Sequence, residues 1–292
     1  MVSSATDTPR IETTVLLFNN QKKIEFINHI QKKEVFTKEG VYFAFPFAMT
    51  DPQFRYEIQN GDVNPAEDML PGAGLEWFSV QHWVSVDQAG ISATVLPLDA
   101  SMVTLGDIAR GTWPTKFGKR KGTVFSYVMN NYWDTNYRGG QGGDFTFRYL
   151  ITSSATTNPT ALSRLGWEET TPLESDNIVP QDKAINTPRP LNGAESSFLS
   201  VSNHNVFLDT WKQAEDGDGT IMRFLNLSGK AGNVKITTPL LDVKSVWLCN
   251  AMEANQQQIS DIYTHGFSFN INPHQIITVR VKGSPTITPP KM

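Results

Sequence analysis

The alternation of apolar and polar residues over residues 12–154 predicts one β-strand after another. Each segment is rich in β-branched and aromatic residues, which is typical of strands that cover a core. The run GVYFAFPFAM is apolar throughout, so we expect a strand buried on both faces, with Pro46 at a sheet edge or a bulge. The predicted strands are ETTVLLF, KKIEFINHI, GVYFAFPFAM, LEWFSVQHWVSV, ISATVLPL, GTVFSYVM and DFTFRYLITSS.

One segment among these strands has the period of a helix instead. In NPTALSRLGWEE, residues Ala161, Leu162 and Leu165 fall on one side, together with Trp167. This spacing predicts an amphipathic helix with one buried face. Because strands greatly outnumber helices, the pattern favours a β-sandwich over a fold of alternating strands and helices.

The segment LEWFSVQHWVSV alternates regularly enough to define two faces. The first face consists of Phe78, Val80, Val84 and Val86, and the second of Trp77, Gln81 and Trp83. We consider two uses for the second face, a platform for sugar stacking and a core between two sheets, and favour the core because sandwiches bury tryptophan on inner faces. His82 shares the parity of the first face, which favours a core histidine with a hydrogen-bond partner over a metal ligand.

A change of composition divides the chain. Residues 171–195 contain four prolines and few large apolar residues, which is typical of a linker or an extended crossover. We therefore predict an all-β chain with a first domain (1–175), a linker or crossover (176–195) and a terminal small β-sandwich (196–292). The strands predicted after the linker are SSFLSVSN, VFLDTWKQ, GTIMRFLNLSG, NVKIT, VKSVWLCNAM, FSFNINP and QIITVRVKG, with AEDGDG as a hairpin turn.

Composition narrows the range of partners. The formal net charge is -4, and we interpret the densest basic cluster, Lys116, Lys119, Arg120 and Lys121, as a solvated turn, so no nucleic-acid partner is expected. No apolar run reaches the about 18 residues of a membrane span, and no signal-peptide pattern begins the chain. Cys249 is the single cysteine and lies in an apolar run. We expect a buried, inert thiol, which slightly favours a cytoplasmic location.

A linked set of segments carries a resemblance that extends from about Glu12 to Lys282. The segments are KKIEFINHIQKKEVFTKEGVYFAFPF, PGAGLEWFSVQHWVSV, GTVFSYVMNNYWDTNYRGGQGGDFTFRY, FLDTWKQAEDGDGTIMRFLNLSG and HQIITVRVKG. In this order they resemble the C-terminal half of glycoside hydrolase family 38, the α-mannosidases. The resemblance implies part of a galactose-mutarotase-like β-supersandwich followed by a small terminal β-sandwich.

The resemblance also implies that the reactive groups lie elsewhere. In family 38 an N-terminal α/β-barrel carries the zinc ion, the aspartate nucleophile and the acid/base, and no segment of this chain resembles those motifs. We therefore expect a C-terminal fragment or a truncated relative that is inactive alone and has no cofactor of its own. Its intramolecular partner would be the barrel, and an apolar docking surface would be exposed or would be covered in a homo-oligomer.

The loop between two predicted strands near Tyr127 and Arg148 is rich in side chains that suit a sugar. Aromatic faces stack on the C–H surface of pyranose rings, and amides and carboxylates bind hydroxyl groups. The loop is either a contact surface for a mannose-containing carbohydrate, facing the active-site mouth in a full-length relative, or an internal plug. The candidate substrate-binding residues are Asn130, Asn131, Tyr132, Trp133, Asp134, Asn136 and Arg138, followed by the glycines of GGQGG.

A catalytic site within this chain is not expected. A retaining glycosidase needs two carboxylates about 5 Å apart, and the sequence brings no such pair together. No two histidines have the spacing of a zinc site. In GDIARGTWP, a third polar and aromatic loop, we favour structural pairing of Arg110 with a carboxylate. The carboxylates considered for the glycosidase pair are Glu67, Asp68, Glu76, Asp134 and Asp144.

The leading interpretation is a non-catalytic, carbohydrate-facing part of an α-mannosidase-like glycoside hydrolase, which supports the barrel and lends loops to the sugar pocket. One alternative is a stand-alone carbohydrate-binding module, which would expose an aromatic platform. The other is an aldose-epimerase-like enzyme, which needs a histidine and a carboxylate facing a groove. The candidate pairs for that reaction are His82 with Glu76 and His29 with Glu25.

Overall fold

The computed structural model describes residues 1–108, 111–131, 139–175 and 197–286. The chain divides into two units, Met1–Pro172 and Leu173–Met292. Both units are built from antiparallel strands, which confirms the predicted all-β class. The predicted linker over 176–195 lies outside the described residues, so the predicted domain limits stay a prediction.

The first unit contains one helix and two sheets within its described residues. Its elements are β1 (Val2–Ala5), β2 (Thr8–Leu17), β3 (Ile24–Lys32), β4 (Gly40–Pro46), β5 (Gln53–Ile58), β6 (Gly61–Val63), β7 (Phe78–Ser79), β8 (Val84–Gln88), β9 (Ile91–Pro97), β10 (Met102–Leu105), β11 (Thr123–Asn130), β12 (Gly143–Ser154) and α1 (Pro159–Thr170). The larger sheet has the order β1-β2-β3-β12-β9-β8-β5-β6, and the smaller has the order β4-β11-β10-β7.

The core of the first unit lies between these two sheets. Phe43 and Phe45 of β4 meet Tyr149 of β12 with ring centroids 5.4 Å and 4.8 Å apart. The Tyr149 hydroxyl donates to Ser126 Oγ of β11 at 3.0 Å, so the buried phenol keeps a polar partner. Burying each such side chain stabilises the fold by roughly 1.5–3 kcal/mol, and the strand alternation predicted from the sequence supplies these side chains to one face of each sheet.

Two expectations about these strands are wrong. The segment LEWFSVQHWVSV is not one strand, because it leaves the smaller sheet after β7 and joins the larger sheet at β8. Both stretches face the same core, so Phe78 and Val84 are buried on it although they lie in different sheets. The strand β4 is an edge strand, as Pro46 indicated, but it is not buried on both faces, since Ala44 is exposed.

Helix α1 confirms the predicted helix and lies against the larger sheet. Asn158 caps its start by accepting a hydrogen bond from the backbone amide of Ala161 at 3.2 Å, an arrangement that satisfies a free amide of the first turn. Its buried residues are Leu162, Ser163 and Gly166. Ala161 is exposed rather than buried, because the buried stripe is one residue further along the helix than the apolar pattern indicated.

The second unit has its own core between two sheets. Among its described residues the strands are β13 (Ser200–Val201), β14 (Val206–Gln213), β15 (Thr220–Asn226), β16 (Gly232–Thr237), β17 (Leu241–Cys249), β18 (Asn255–Ile259), β19 (Ile262–Tyr263), β20 (Gly266–Ile271) and β21 (Ile276–Pro285). The sheet orders are β13-β16-β20-β19 and β14-β15-β21-β17-β18. Phe224 and Phe269, with centroids 5.3 Å apart, join the two sheets. The segment AEDGDG forms the predicted turn between β14 and β15, closed by the bond from Ala214 N to Gly219 O.

Candidate functional site

The smaller sheet of the first unit carries an aromatic column on the face that points away from the core. Tyr42 of β4 and Tyr127 of β11 are paired in register and stack with centroids 4.4 Å apart and planes 4° apart. Trp77 stacks on the other side of Tyr127 at 6.5 Å, and Phe125 meets Tyr42 edge to face. All four rings are half-buried. The sheet therefore presents a continuous aromatic surface.

A glycine makes room for the two tyrosine rings. Gly40 lies at the start of β4, opposite Asn130, and a Cβ at this position would lie 3.1 Å from the Tyr42 ring and 3.2 Å from the Tyr127 ring. The rings therefore cover the bare backbone of Gly40. Burial, followed by the charge of Tyr42 and a hydrogen bond with it, raises the pKa of Tyr127 well above its ordinary range, so the phenol stays neutral at any physiological pH.

Trp77 has an unusual polar environment within this column. Its indole Nε1 is buried and makes no hydrogen bond to any described residue. Buried indole N–H groups normally find a partner.

The predicted sugar loop begins where this aromatic face ends, at Asn130 and Asn131. The Asn131 side chain accepts from the backbone amide of Glu39 at 2.7 Å and donates to the carbonyl oxygen of Val35 at 3.0 Å. Its amide therefore serves the chain's own backbone, as the plug interpretation expects for this residue. The backbone amide of Asn130 donates to the Gln141 side chain at 3.0 Å. The remaining candidates Tyr132, Trp133, Asp134, Asn136 and Arg138 lie outside the described residues, so this site stays a prediction.

The glycines that follow the loop allow close packing inside the chain. A Cβ on Gly140 would lie 2.7 Å from Glu34 Cγ, and a Cβ on Gly142 would lie 2.8 Å from the Glu34 backbone nitrogen. At these two positions the neighbour that needs the space is therefore the segment around Glu34.

A second polar and aromatic region joins Glu76 to the loop between β10 and β11. Glu76 is buried, and its Oε1 accepts from the amide of Thr112 at 2.5 Å, from the Thr112 hydroxyl at 2.9 Å and from the amide of Trp113 at 3.1 Å. The predicted loop residue Asp107 accepts from the amide of Ile108 at 2.8 Å. Arg110 lies outside the described residues.

The predicted solvated basic turn is right for Lys116, Lys119 and Lys121, which are exposed, but wrong for Arg120. Its guanidinium donates to the carbonyl oxygens of Phe117 at 2.9 Å, Leu105 at 2.8 Å and Leu75 at 2.9 Å. Burial lowers the pKa of Arg120, although the group stays charged at neutral pH. The side chain therefore ties three segments of this region together. Gly106, with φ 79, leaves room for this side chain, because an added Cβ would lie 2.3 Å from Arg120 Cβ.

The second face of LEWFSVQHWVSV is divided. Trp83 is fully buried, as favoured, but it lies under helix α1 rather than between the two sheets, and its indole Nε1 donates to Ser163 Oγ at 3.0 Å. Trp77 lies just before β7 and is half-buried. The predicted carboxylates Glu67, Asp68 and Asp144 are exposed, and Asp68 accepts from the backbone amide of Asn64 at 2.8 Å.

Neither histidine considered for epimerase chemistry faces the carboxylate proposed for it. His82 is buried and its Nδ1 lies 2.8 Å from Glu57 Oε2, which confirms a core histidine with a hydrogen-bond partner. His29 Nδ1 lies 2.9 Å from Thr146 Oγ1 on the exposed side of the larger sheet. No group of three or more His, Cys, Asp and Glu side chains among residues 1–108, 111–131, 139–175 and 197–286 is arranged to hold a metal ion. The described residues therefore do not offer a ligand set for zinc.

In the second unit, the segment WKQAEDGDG is held by ion pairs. Buried Arg280 donates to Asp216 Oδ1 at 2.7 Å and to the Asp218 carbonyl oxygen at 2.6 Å. The Arg280 guanidinium and the backbone amide of Asp218 lower the pKa of Asp216 to about 2. The Lys212 ammonium lies 2.7 Å from Glu253 Oε1 and holds the pKa of that carboxyl below its usual range. This cluster fixes the hairpin turn, which explains the charged residues of the segment.

Cys249 is buried, and burial raises the pKa of its thiol, as expected for an inert cysteine.

No helix in the described part of the chain has the length and apolar character needed to cross a membrane.

Comparisons with known proteins agree with the predicted resemblance. Residues 205–279 match the family model described as the glycosyl hydrolases family 38 C-terminal beta sandwich domain. The chain is 32% identical over 88 residues to "Alpha-mannosidase G" of Dictyostelium discoideum, a match that covers 30% of this chain and 8% of that protein. The predicted resemblance to the C-terminal β-sandwich region of family 38 is therefore confirmed.

Two solved structures share the fold. An α-mannosidase from Enterococcus faecalis V583 superposes on 94% of this chain with a TM-score of 0.67 and 14% identity. A family 38 glycosyl hydrolase protein from Enterococcus faecalis gives 0.64 over the same share, also at 14% identity. The chain covers only 29% and 30% of those two proteins, so it spans less than a third of their length.

Proposed function

We propose that this chain, whose residues 205–279 form a family 38 C-terminal β-sandwich domain, is the non-catalytic sandwich part of an α-mannosidase-like glycoside hydrolase. The observation that carries the proposal is the fold likeness over 94% of this chain to 29% of an α-mannosidase. The first unit would be the mutarotase-like supersandwich portion. The reactive groups, including zinc, would lie on a barrel that this chain supports.

The aromatic column supports a contact role for the first unit. Tyr42, Tyr127 and Trp77 offer half-buried ring faces, and such a surface on a soluble sandwich is costly to leave in water. The buried Nε1 of Trp77 also lacks an acceptor among the described residues. A barrel segment or a sugar that packs on this face would cover the exposed parts of the rings.

The loop of residues 130–138 is the part that we propose to face the sugar. It begins at Asn130, at the end of the strand that carries Tyr127, so the aromatic column leads directly to it. Indole and phenol rings supply stacking, and the amides and Asp134 supply hydrogen bonds to hydroxyl pairs. Its role is to shape the pocket for a mannose-containing carbohydrate, while the bond-breaking groups come from the barrel.

An activity assay tests the non-catalytic assignment. The purified chain, with zinc added, should show no hydrolysis of an aryl α-mannoside above the uncatalysed rate, because a retaining glycosidase needs two carboxylates close together across the sugar. Turnover that disappears with a chelator or with Asp134→Asn would overturn the assignment. The same assay on the Enterococcus faecalis enzyme serves as the positive control.

A titration tests the sugar-facing loop. Calorimetry of the chain with an α-linked mannobiose should give a saturable heat, which the double substitution of Trp133 and Asp134 by Ala reduces. Trp211→Ala is the matched control, because Trp211 is 47% exposed but belongs to the second unit. Equal binding by the loop variant and the unmodified chain would contradict the loop role.

The carbohydrate-binding-module alternative is favoured by one observation, the strongly exposed ring of Trp113. The aldose-epimerase alternative gains no support, because His82 is buried against Glu57 where no sugar in a groove could reach it.

A further inference from the structure

Trp113 projects into solvent from the loop between β10 and β11. Its side chain is 73% exposed, and its backbone has φ 51. The left-handed region is unfavourable for a residue with a bulky side chain, and such strain is concentrated at functional sites. Core packing does not explain a large aromatic ring held in water by a strained backbone.

The loop that carries Trp113 is fixed at both ends. On one side, buried Glu76 accepts the amides of Thr112 and Trp113. On the other side, the ring of Phe117 packs edge to face on Phe54 and Phe78 of the core, with centroids 5.9 Å and 6.0 Å away. The exposed indole is therefore presented by a rigid support.

Arg120 strengthens the same support. Its guanidinium lies 4.2 Å from the centroid of the Phe117 ring and bonds to the carbonyl oxygens of Leu75 and Leu105. These bonds join the segment that ends at Glu76 to the segment that begins the Trp113 loop. A preorganised support of this kind reduces the entropy lost when a ligand binds.

Two clefts flank this loop and have the size of a small-molecule site. One has a volume of about 760 Å³ and is lined by apolar residues that include Met69, Leu70 and Trp113. The other, of about 570 Å³, is lined by Glu76, Asp107 and Lys116 among others. Volumes of 300–1,000 Å³ with an apolar wall and a few polar groups are typical of ligand pockets.

We propose that Trp113 and the cleft that it lines form a binding site for a pyranose ring of an oligosaccharide, built from residues other than those of the predicted loop 130–138. The flat indole stacks on the C–H face of the ring. The Lys116 ammonium lines the same cleft as Trp113 and donates bonds to the sugar hydroxyls. The choice of an α-mannoside as the ligand rests on the proposed function, whereas the stacking chemistry suits pyranosides generally.

Fluorine NMR of the chain labelled with 5-fluorotryptophan tests this site. The chain has seven tryptophans, and single Trp→Phe variants assign each resonance. Titration with an α-linked mannobiose should shift the Trp113 resonance saturably and leave Trp211 of the second unit unshifted. Maltose serves as a second pyranoside probe. A Trp113 resonance that responds to neither disaccharide overturns the proposal.

The same spectra separate the two proposals. A shift at Trp133 without one at Trp113 supports the predicted loop and overturns the Trp113 site, and the reverse result supports the Trp113 site while contradicting the loop. Trp113→Gly then distinguishes binding from a structural role. Glycine adopts positive φ without strain, so this variant should be at least as stable as the unmodified chain. It should nevertheless lose affinity for the disaccharide at least about tenfold; unchanged affinity would also overturn the site.

Discussion

His82 Nδ1 and Glu57 Oε2 lie 2.8 Å apart with both side chains buried. Glu57 lies in β5 and His82 lies just before β8, the strand that pairs with β5. The indole ring of Trp167 on helix α1 lies 4.9 Å from the imidazole. The pair therefore sits where the helix meets the larger sheet. Because neither partner has access to bulk water, each depends on the other for its hydrogen bond.

Replacing Glu57 by Ala should destabilise the first unit by about 2–3 kcal/mol, since it leaves a buried imidazole without its acceptor. Urea unfolding, followed through the fluorine resonances of Trp83 and Trp167, measures the change. Glu57→Gln keeps an acceptor at the same place and should cost less. Equal losses for the two variants would show that the hydrogen bond is not the cause.

Gly166→Ala should also destabilise this contact. In an exposed helix this substitution is stabilising by roughly 1 kcal/mol, but here the added Cβ would lie 2.4 Å from His82 Cβ. Overpacking of this kind costs about 1–3 kcal/mol. Combining the change with His82→Gly, which removes the Cβ that the new methyl meets, should remove most of the cost, so the two substitutions should be strongly non-additive. Additive effects in the denaturation curves would rule out the steric explanation.

Much of the fold could be predicted from alternation alone, because each strand carries its own period. The break inside LEWFSVQHWVSV could not, since Phe78 and Val84 face one core from two different sheets. The alternation of buried and exposed residues continues where the chain passes from one sheet to the other. A pattern of apolar positions therefore reports which side of the chain is buried without reporting which sheet the strand joins.

The hydrogen-bond partners of buried polar side chains could not be predicted from the sequence. Glu57 pairs with His82 across 25 residues, and Arg120 bonds to a carbonyl oxygen 45 residues away. Such pairs depend on strand order, which local sequence does not encode. The aromatic column was also missed, because Tyr42 and Tyr127 become neighbours only through the register of β4 on β11.

Gly40→Ala should disturb the aromatic column. The new methyl would lie 3.1 Å from the Tyr42 ring and 3.2 Å from the Tyr127 ring, so both rings must move by a few tenths of an ångström. We expect a weaker near-ultraviolet circular dichroism signal and a loss of about 1 kcal/mol. In a Tyr127→Ala background the Tyr42 ring can move into the vacated space, so most of the cost should disappear. A cost that persists in that background would contradict the packing explanation.

The ion pair between Asp216 and Arg280 should make the stability of the second unit depend on pH. The pKa of Asp216 is lowered to about 2 in the folded chain, whereas an unfolded aspartate has a pKa of about 3.9. A carboxyl with a lowered folded pKa binds protons more readily when unfolded. Its stabilising contribution is therefore fully present above about pH 4 and is lost as the pH falls towards 2.

Asp216→Asn should flatten this dependence. The measurement is the urea midpoint between pH 2 and 6, followed through the fluorine resonances of Trp211 and Trp247, which both belong to the second unit. Above pH 4 the variant should be less stable than the unmodified chain, and the two curves should converge near pH 2. Asp209→Asn, an exposed aspartate bonded to the neighbouring Thr210 hydroxyl, is the matched control and should keep the original slope. Parallel curves for Asp216→Asn and the unmodified chain between pH 4 and 2 would show that this pair does not set the acid limit of the unit.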